Sequence, residues 1–580
     1  MGSDFREQPL RAYHCGDTPP RGGLPLLLNY DVRRFTDEQR EKLAWKVHQS
    51  RDFRLPRLAN WNYDLCRQHR MGWTETYYDK TTGTDKQRTV VDRPKPGCRK
   101  CCILPRAHQR VGIAWLYLKK RGLLADAMGS GKTTHIGGLI AMLLETGEIP
   151  SVGRAVVCPR APALDQWRDE LLRMMPGLRV LIATGTKKQR IQDYLGEWDV
   201  LLIGPEMLRN DYEMVMRFPL ALFVSDDIDQ LRNPDIATSQ ILDTVGAHAD
   251  RYVIASGTPL QKRLGELHSV LDGVGGVQAL GSRDYFDAKY IKTAWVSEFN
   301  STTGQEYRRK QVVGAKNTRE LKSKIAPLVL RRTQFADVNL PTIIPDDVML
   351  DLYPAQRAKY KELQKGVLRI LKEEGTEVKH TSAMSRLHYG SAICAGLASL
   401  GEPDAPNTSM KMDWIVEKLT RGDLMDEKVV IFANLKNTIR ALQNRLREEG
   451  VGFVTVWGEN KKRADRTQAQ RRFWDDSGCQ VLLGTRAIEQ SLNLQVSRHL
   501  VNVDMILNPA RMEQLAGRIR RDGSAFQHVF VHNLLTVDTQ EERYLPMLER
   551  EAALAGHIWD ENSQLFQALS PMAMLQLISG

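Results

Sequence analysis

Between Leu123 and Thr134 the chain reads LLADAMGSGKTT. An apolar run delivers the backbone into a turn made of Met128, Gly129, Ser130 and Gly131. Lys132, Thr133 and Thr134 then open a stretch with helical character. Glycines let successive backbone N–H groups wrap a polyphosphate, because a Cβ would block both the dihedrals and the close approach. Lys132 is placed to neutralise β- and γ-phosphates, Thr133 to ligate magnesium, and the helix start adds its positive end. The plainer alternative is a glycine-rich turn before an ordinary helix. The chemistry these residue types point to is hydrolysis of a nucleotide held with Mg²⁺.

A phosphate loop needs a metal-holding carboxylate at a strand end. LFVSDDIDQLRN (222–233) supplies one, an apolar strand ending in Asp226 and Asp227. Asp226 is the expected Mg²⁺ ligand, directly or through water, and Asp227 the group that orients or deprotonates the attacking water. Acidic residues capping the next helix are the alternative.

The elements that must position these groups are legible as alternation. From about 104, short apolar strands alternate with helical patterns: AVVCP (155–159), RVLIATG (179–185), DVLLIG (199–204), LALFVSD (220–226) and YVIASG (252–257). A second series follows: KVVIFAN (428–434), GFVTVWG (452–458), QVLLGT (480–485), HLVNVD (499–504) and HVFVHNLL (528–535). Strand–helix alternation means a parallel sheet covered on both faces. The expected fold class is α/β, with two parallel-sheet lobes in tandem and a nucleotide held in the cleft between them. Tyr360, Leu363, Val367 and Leu371 mark one face of a helix. The expected organisation is an N-terminal accessory region (1–103), a first lobe (104–345), a helical insertion (346–409), a second lobe (410–550) and a C-terminal tail (551–580).

At 580 residues the chain is too long for one core. No apolar run approaches a membrane span, and the first residues lack the cationic start and apolar stretch of a secretory signal. Eight cysteines in this length do not make a disulfide scaffold, so a reducing interior is expected: cytoplasmic in a prokaryotic or viral host cell, nuclear in a eukaryote. Lys plus Arg (82) exceeds Asp plus Glu (70), a net +12 that suits a polyanionic partner, nucleic acid first.

The ordered set of motifs resembles the Swi/Snf-type DNA-dependent ATPases and translocases of helicase superfamily two. AMGSGKT is similar to that family's phosphate loop, with Asp126 kept and Ala127 in the place of a Glu. His108-Gln109 resembles the element in which a Gln reads adenine, a role that falls to Gln109. AVVCPRAPALDQW (155–167) resembles a segment facing the nucleic-acid backbone, which implicates Pro159 and Arg160. ASGTPLQKRLGEL (255–267) is similar to the coupling element, with Ser256, Gly257, Thr258 and Pro259 in place. LVLRRT (328–333) with Leu340-Pro341 resembles the paired arginines and Leu-Pro that close the first lobe. EQLAGRIRRDG (513–523) assigns Gln514, Arg518 and Arg521, and VFVHNLLTVDTQEER (529–543) resembles the trailing Thr-x-Glu-Glu segment.

The resemblance implies two RecA-like lobes with helical insertions, Mg-ATP as fuel, and double-stranded DNA as partner through backbone contacts with little sequence specificity. When a γ-phosphoryl group transfers, charge spreads over its oxygens, and the guanidinium groups of Arg518 and Arg521 would stabilise it there. Two departures stand out. Asp227 replaces the usual Glu and is one methylene shorter. In TRAIEQSLNL (485–494), Ile488, Glu489 and Ser491 replace three glycines, while Asn493 and Leu494 survive.

Five of the eight cysteines fall within the first 102 residues. Cys66-x-x-His69 and Cys98-x-x-Cys101 have the two-residue gap of zinc knuckles, which makes Zn²⁺ a candidate second metal; unrelated thiols are the alternative. Cys158, Cys394 and Cys479 read as core residues. The aromatics Trp61, Tyr63, Trp73, Tyr77 and Tyr78 suit either base stacking or a small local core. The expected function is an ATP-driven motor on duplex DNA that remodels DNA or displaces bound proteins. Its rivals are a strand-separating helicase and a non-hydrolysing DNA-binding scaffold.

Overall fold

The computed structural model describes residues 35–50, 55, 58–62, 73–79, 84–90, 103–227, 231, 233, 236–257, 264–300, 305–332, 340–373, 380–401, 408–457, 463–489, 492–504, 509–521, 524–544, 575 and 577–579. The chain divides into two compact units. One comprises residues 1–257, 273–275 and 327–338; the other comprises 258–272, 276–326 and 339–580.

The first unit opens with a helix, Asp37–His48, capped by the Thr36 side chain, and a hairpin of β1 (Trp73–Asp79) and β2 (Thr84–Val90). Its sheet is built from β3 (Arg121–Leu124), β4 (Arg154–Pro159), β5 (Val180–Ile182), β6 (Val200–Leu202), β7 (Leu220–Asp226), β8 (Tyr252–Ala255) and, from beyond a further antiparallel ribbon of β9 (Ile291–Asn300) and β10 (Gln305–Ala315), β11 (Val329–Leu330). The seven strands lie in the order β11-β3-β8-β7-β4-β6-β5, and every pairing is parallel. Central β7 opens with the unbroken apolar run LALFV because the strand is buried on both faces. Edge strand β5 is only half-buried.

Trp61 belongs to the core of this unit, its Nε1 donating to Ile103 O at 2.8 Å, so it serves packing. Cys158 is buried here, as Cys394 and Cys479 are in the second unit.

In the second unit β12 (Thr342–Leu350), β13 (Val429–Phe432), β14 (Phe453–Val456), β15 (Val481–Gly484), β16 (His499–Asn502) and β17 (His528–Thr536) form a second all-parallel sheet, ordered β12-β17-β16-β13-β15-β14. Successive residues of β13 feed opposite faces, as a strand requires. Val429 and Ile431 pack with Ile415 and Leu442, whereas Val430 and Phe432 pack with Phe473 and Leu515. The helices Pro354–Glu373 and His380–Ala395 enclose a separate core that includes Tyr360 and Val367, with Leu575 and Ile578 packed into it.

Two boundaries differ from the sequence reading. Edge strand β12 runs across position 346, where a helical insertion was expected, and pairs along its whole length with β17. Residues 258–272 and 276–326, expected in the first lobe, group with the second unit. The two parallel sheets otherwise give the expected α/β class.

Candidate functional site: the nucleotide end of the first sheet

In a parallel sheet all strands end at the same edge, and ligands bind in the loops beyond it. Four strand ends meet there. Strand β3 leads into the phosphate loop, and the helix Lys132–Glu145 follows it. Gly129 and Gly131 have φ of 81° and 76°, a left-handed region costly for a side chain. Ser130 is buried, and its Oγ has no hydrogen-bond partner. Gln109 Nε2 and His108 Nε2 each lie 2.9 Å from Ser130 O, so the expected adenine-reading element touches the phosphate loop directly. Lys132 Nζ donates to the carbonyls of Asp126 (2.9 Å) and Ala127 (3.3 Å), folded back over the loop. Met128, Thr133 and Thr134 complete the expected nucleotide set; Thr134 is buried and Thr133 half-buried.

Strand β7 brings the two carboxylates. Pro159 of β4 pairs with Asp226, and Asp226 with Ala255 of β8. Trp167 Nε1 donates to Asp226 Oδ2 at 3.0 Å. Burial, then the charge of Asp227, pushes the Asp226 carboxyl up to about 6. Asp227 has φ of 52°, and its amide donates to Ala255 O at 2.7 Å. A left-handed non-glycine residue at a strand end is a sparsely populated conformation, often found where a side chain is aimed for function. One of its oxygens, Oδ1, is buried without a partner. The other lies 3.7 Å from Arg160 Nη2, and the Arg160 Nε–H donates to the Asp227 carbonyl. Arg160, expected against nucleic acid, is thus engaged with the carboxylate pair.

Strand β8 contributes Ser256 and Gly257. The Ser256 amide donates to Leu124 O at 3.0 Å. A Cβ on Gly257 would stand 2.8 Å from Met128 Cγ and 3.3 Å from Lys132 Nζ, so glycine there lets the coupling element touch the loop. The coupling residue Thr258 and the zinc candidates Cys66, His69, Cys98 and Cys101 lie outside the described residues. Among the described residues no group of three or more His, Cys, Asp or Glu is arranged to hold a metal ion.

The residues present fit a Mg²⁺-bound nucleotide. Two adjoining carboxylates, one with an orphaned oxygen and one whose ionised form burial and its neighbour disfavour, gain from a divalent cation. The loop presents a buried unpartnered hydroxyl and two left-handed glycines.

The second unit carries Gln514 and Arg518 on the helix Pro509–Ile519, with Arg521 just beyond it. Gln514 is buried and both arginines are half-buried. The Leu494 amide donates to Arg518 O at 3.1 Å, and Asn493 O accepts from Trp474 Nε1 at 2.8 Å, which fixes the Asn493 segment beside the arginine helix. Ile488 is fully buried, and a Cβ on Gly484 would come 2.1 Å from its Cγ2. This departure from glycine is a core residue.

Sequence reasoning did not assign Trp167 or His135 to the site, and it read Arg331-Arg332 only as the arginine pair that closes the first lobe. Arg332 pairs with Asp126, and His135 lies 3.4 Å from the same carboxylate. Burial alone would raise the Asp126 carboxyl, but hydrogen bonds from His135 and Arg332 hold it well below the usual carboxylate range.

The SNF2-related domain family matches residues 59–396, and the helicase conserved C-terminal domain matches residues 410–523. The chain is 26% identical over 492 residues to the Zorya protein ZorD of Escherichia coli, covering 77% of this chain and 44% of that one. It is 25% identical over 510 residues to the DNA repair and recombination protein RAD54B of Gallus gallus (78% and 54%). Over 471 residues it is 25% identical to a helicase/translocase designated YwqA, of Bacillus subtilis (78% and 48%). The chain spans about half the length of these relatives. Among solved structures, the Sulfolobus solfataricus SWI2/SNF2 ATPase core in complex with dsDNA aligns at 21% identity and a TM-score of 0.35, over 79% of this chain and 94% of that one. With more than half of its length matched by that domain, the chain belongs to the SNF2-related family, a family of helicase-like, DNA-dependent ATPases.

Proposed function

We propose that this chain hydrolyses ATP and uses the turnover to move along double-stranded DNA, remodelling it or displacing what is bound there. The observation that carries the reading is the meeting of Lys132, the Asp226–Asp227 pair and Gly257 at one edge of the first sheet. Ser130 to Thr134 would hold the phosphates, with Gln109 at the adenine, and Thr133 and Asp226 would hold Mg²⁺. When bound, Mg²⁺ supplies charge neutralisation at the phosphate oxygens. Asp227 orients or deprotonates the attacking water through its Oδ1. Lys132 must leave its two loop carbonyls to meet phosphate, an exchange of one set of acceptors for a better-charged one. Gln514, Arg518 and Arg521 are assigned to the developing charge on the γ-phosphoryl oxygens, and Pro159, Arg160, Ser256, Gly257, Thr258 and Asn493 to coupling and DNA contact.

The duplex DNA assignment is supported by the net charge of +12 and by family membership. A zinc ion on Cys66, His69, Cys98 and Cys101 is retained as a proposal that elemental analysis decides, at about one equivalent per chain. A second reading, a non-hydrolysing DNA-binding scaffold, draws on the Arg160 pairing of Asp227. ATP hydrolysis measured with and without blunt duplex DNA separates the two. The motor reading expects duplex-stimulated turnover that falls on the order of a hundredfold or more in Lys132→Ala. Turnover unchanged in that variant overturns the assigned site, and none in either protein favours the scaffold.

A further inference from the structure

Pairing between β11 and β3 continues past the strand ends. The carbonyls of Leu328, Leu330 and Arg332 accept from the amides of Leu123 (2.8 Å), Ala125 (2.8 Å) and Ala127 (2.9 Å). Residues 328–332 therefore run beside the whole approach to the phosphate loop. The Arg332 side chain then crosses over that loop. Its Nε donates to Asp126 Oδ1 at 3.0 Å, its Nη2 pairs with Asp126 Oδ2, and its Nη1 donates to His108 O at 2.8 Å. Asp126 is fully buried, so this fork is a two-pronged bond in a medium that strengthens it.

His135 closes the ring. Its Nδ1 lies 3.1 Å from Gly131 O. Its Nε2 is 3.3 Å from Arg332 Nη2. A Cβ on Gly112 would fall 2.0 Å from His135 Cδ2 and 3.3 Å from Arg332 Nη2. A glycine inside the helix Ala107–Lys119 is less favourable than alanine, and here it makes the space the two side chains occupy.

Arg332 is also the last described residue of the first unit before the chain passes, through residues 333–338, to Asn339 and the second sheet. We propose that Arg332 is a positioning residue that fastens the phosphate loop to the connector leaving the first unit, so that loop geometry and the start of the connector change together. Nucleotide binding that reshapes residues 126–131 would then act on the connector through Asp126 and the Ala127–Arg332 backbone bond. This inference rests on the ATPase reading for its kinetic consequence and on geometry alone for the fastening.

The test uses the full chain with Arg332→Gln, Arg332→Lys and Gly112→Ala. Two quantities are read: amide hydrogen exchange at residues 125–131 without nucleotide, and the KM and kcat for ATP with duplex DNA. Arg332→Gln should speed exchange at Ala125 and Ala127 about tenfold or more and raise KM about tenfold, with kcat moved much less. Arg332→Lys should recover part of both, and Gly112→Ala should reproduce the loss with Arg332 intact. Exchange and KM within about twofold of wild type in Arg332→Gln overturn the proposal. If Arg332→Gln does not fold, the same readouts on the other two variants decide, and wild-type values in both overturn it. If the wild-type protein neither binds nor hydrolyses ATP, the functional reading fails while the exchange measurement still decides the fastening.

Discussion

Trp167 Nε1 donates to Asp226 Oδ2 at 3.0 Å, so an indole on the helix Leu164–Met174 holds the carboxylate assigned to Mg²⁺. This bond opposes the burial that pushes Asp226 upward. Trp167→Phe removes the donor and keeps most of the packing. The carboxyl should then titrate above about 6, and the Mg²⁺ needed for half-maximal ATPase should rise about ten- to a hundredfold. A Mg²⁺ titration of the turnover rate checks this, and an unmoved midpoint counts against Asp226 as the ligand.

The second sheet carries an acid-sensitive group. His499 Nδ1 lies 3.1 Å from His532 Nε2, and burial with the neighbouring His532 lowers His499 to about 4. Unfolded, its value returns to the ordinary 6.5, so the unfolded chain binds the extra proton between about 6.5 and 4. Stability from this group is full above pH 6.5 and is lost as pH falls toward 4. Thermal unfolding should therefore show Tm dropping across that window, and His499→Phe, which stacks on Phe530 without titrating, should flatten the slope.

Lys411 and Glu541 form an ion pair at 2.7 Å, and both side chains are essentially inaccessible. Lys411 also donates to Val503 O, and Glu541 Oε2 accepts from the amide and hydroxyl of Thr536. Removing one charge strands the other. Glu541→Gln should destabilise by about 3–5 kcal/mol in urea unfolding of the second unit's transition, whereas breaking an exposed pair such as Lys42–Glu38 should leave the unfolding midpoint in place.

Restoring the family's glycine at position 488 should harm the protein. Ile488 is fully buried in the core formed with Phe432, Phe473 and Leu515. Ile488→Gly opens a cavity and loosens the backbone of the Arg486–Glu489 turn, a loss of about 3–5 kcal/mol by denaturant titration. ATPase per folded molecule should not rise; a faster enzyme would mean the glycine serves catalysis.

What the sequence made legible follows from how far apart the cooperating residues are. LALFVSD and QVLLGT announce themselves because strands buried on both faces are unbroken apolar runs, and the phosphate loop because seven adjoining residues do one task. TIIPDDVML does not, because β12 is an edge strand where Pro345, Asp346 and Asp347 suppress any apolar signature. Trp167 and Asp226 are 59 positions apart, and Arg332 and Asp126 are 206 apart. No local spacing encodes such pairs. The left-handed turn at Asp227 was hidden for a different reason: aspartate enters that region more readily than most residues, but residue type alone does not mark which aspartate does so.

Edge strand β12 has one partner in its sheet, β17, and Asp346 meets His532, 186 positions further along the sequence. On the ribosome, Thr342–Leu350 must therefore emerge and wait while the rest of its sheet is translated. The prolyl and acidic side chains that leave this segment illegible also keep it from joining another nascent chain during that delay.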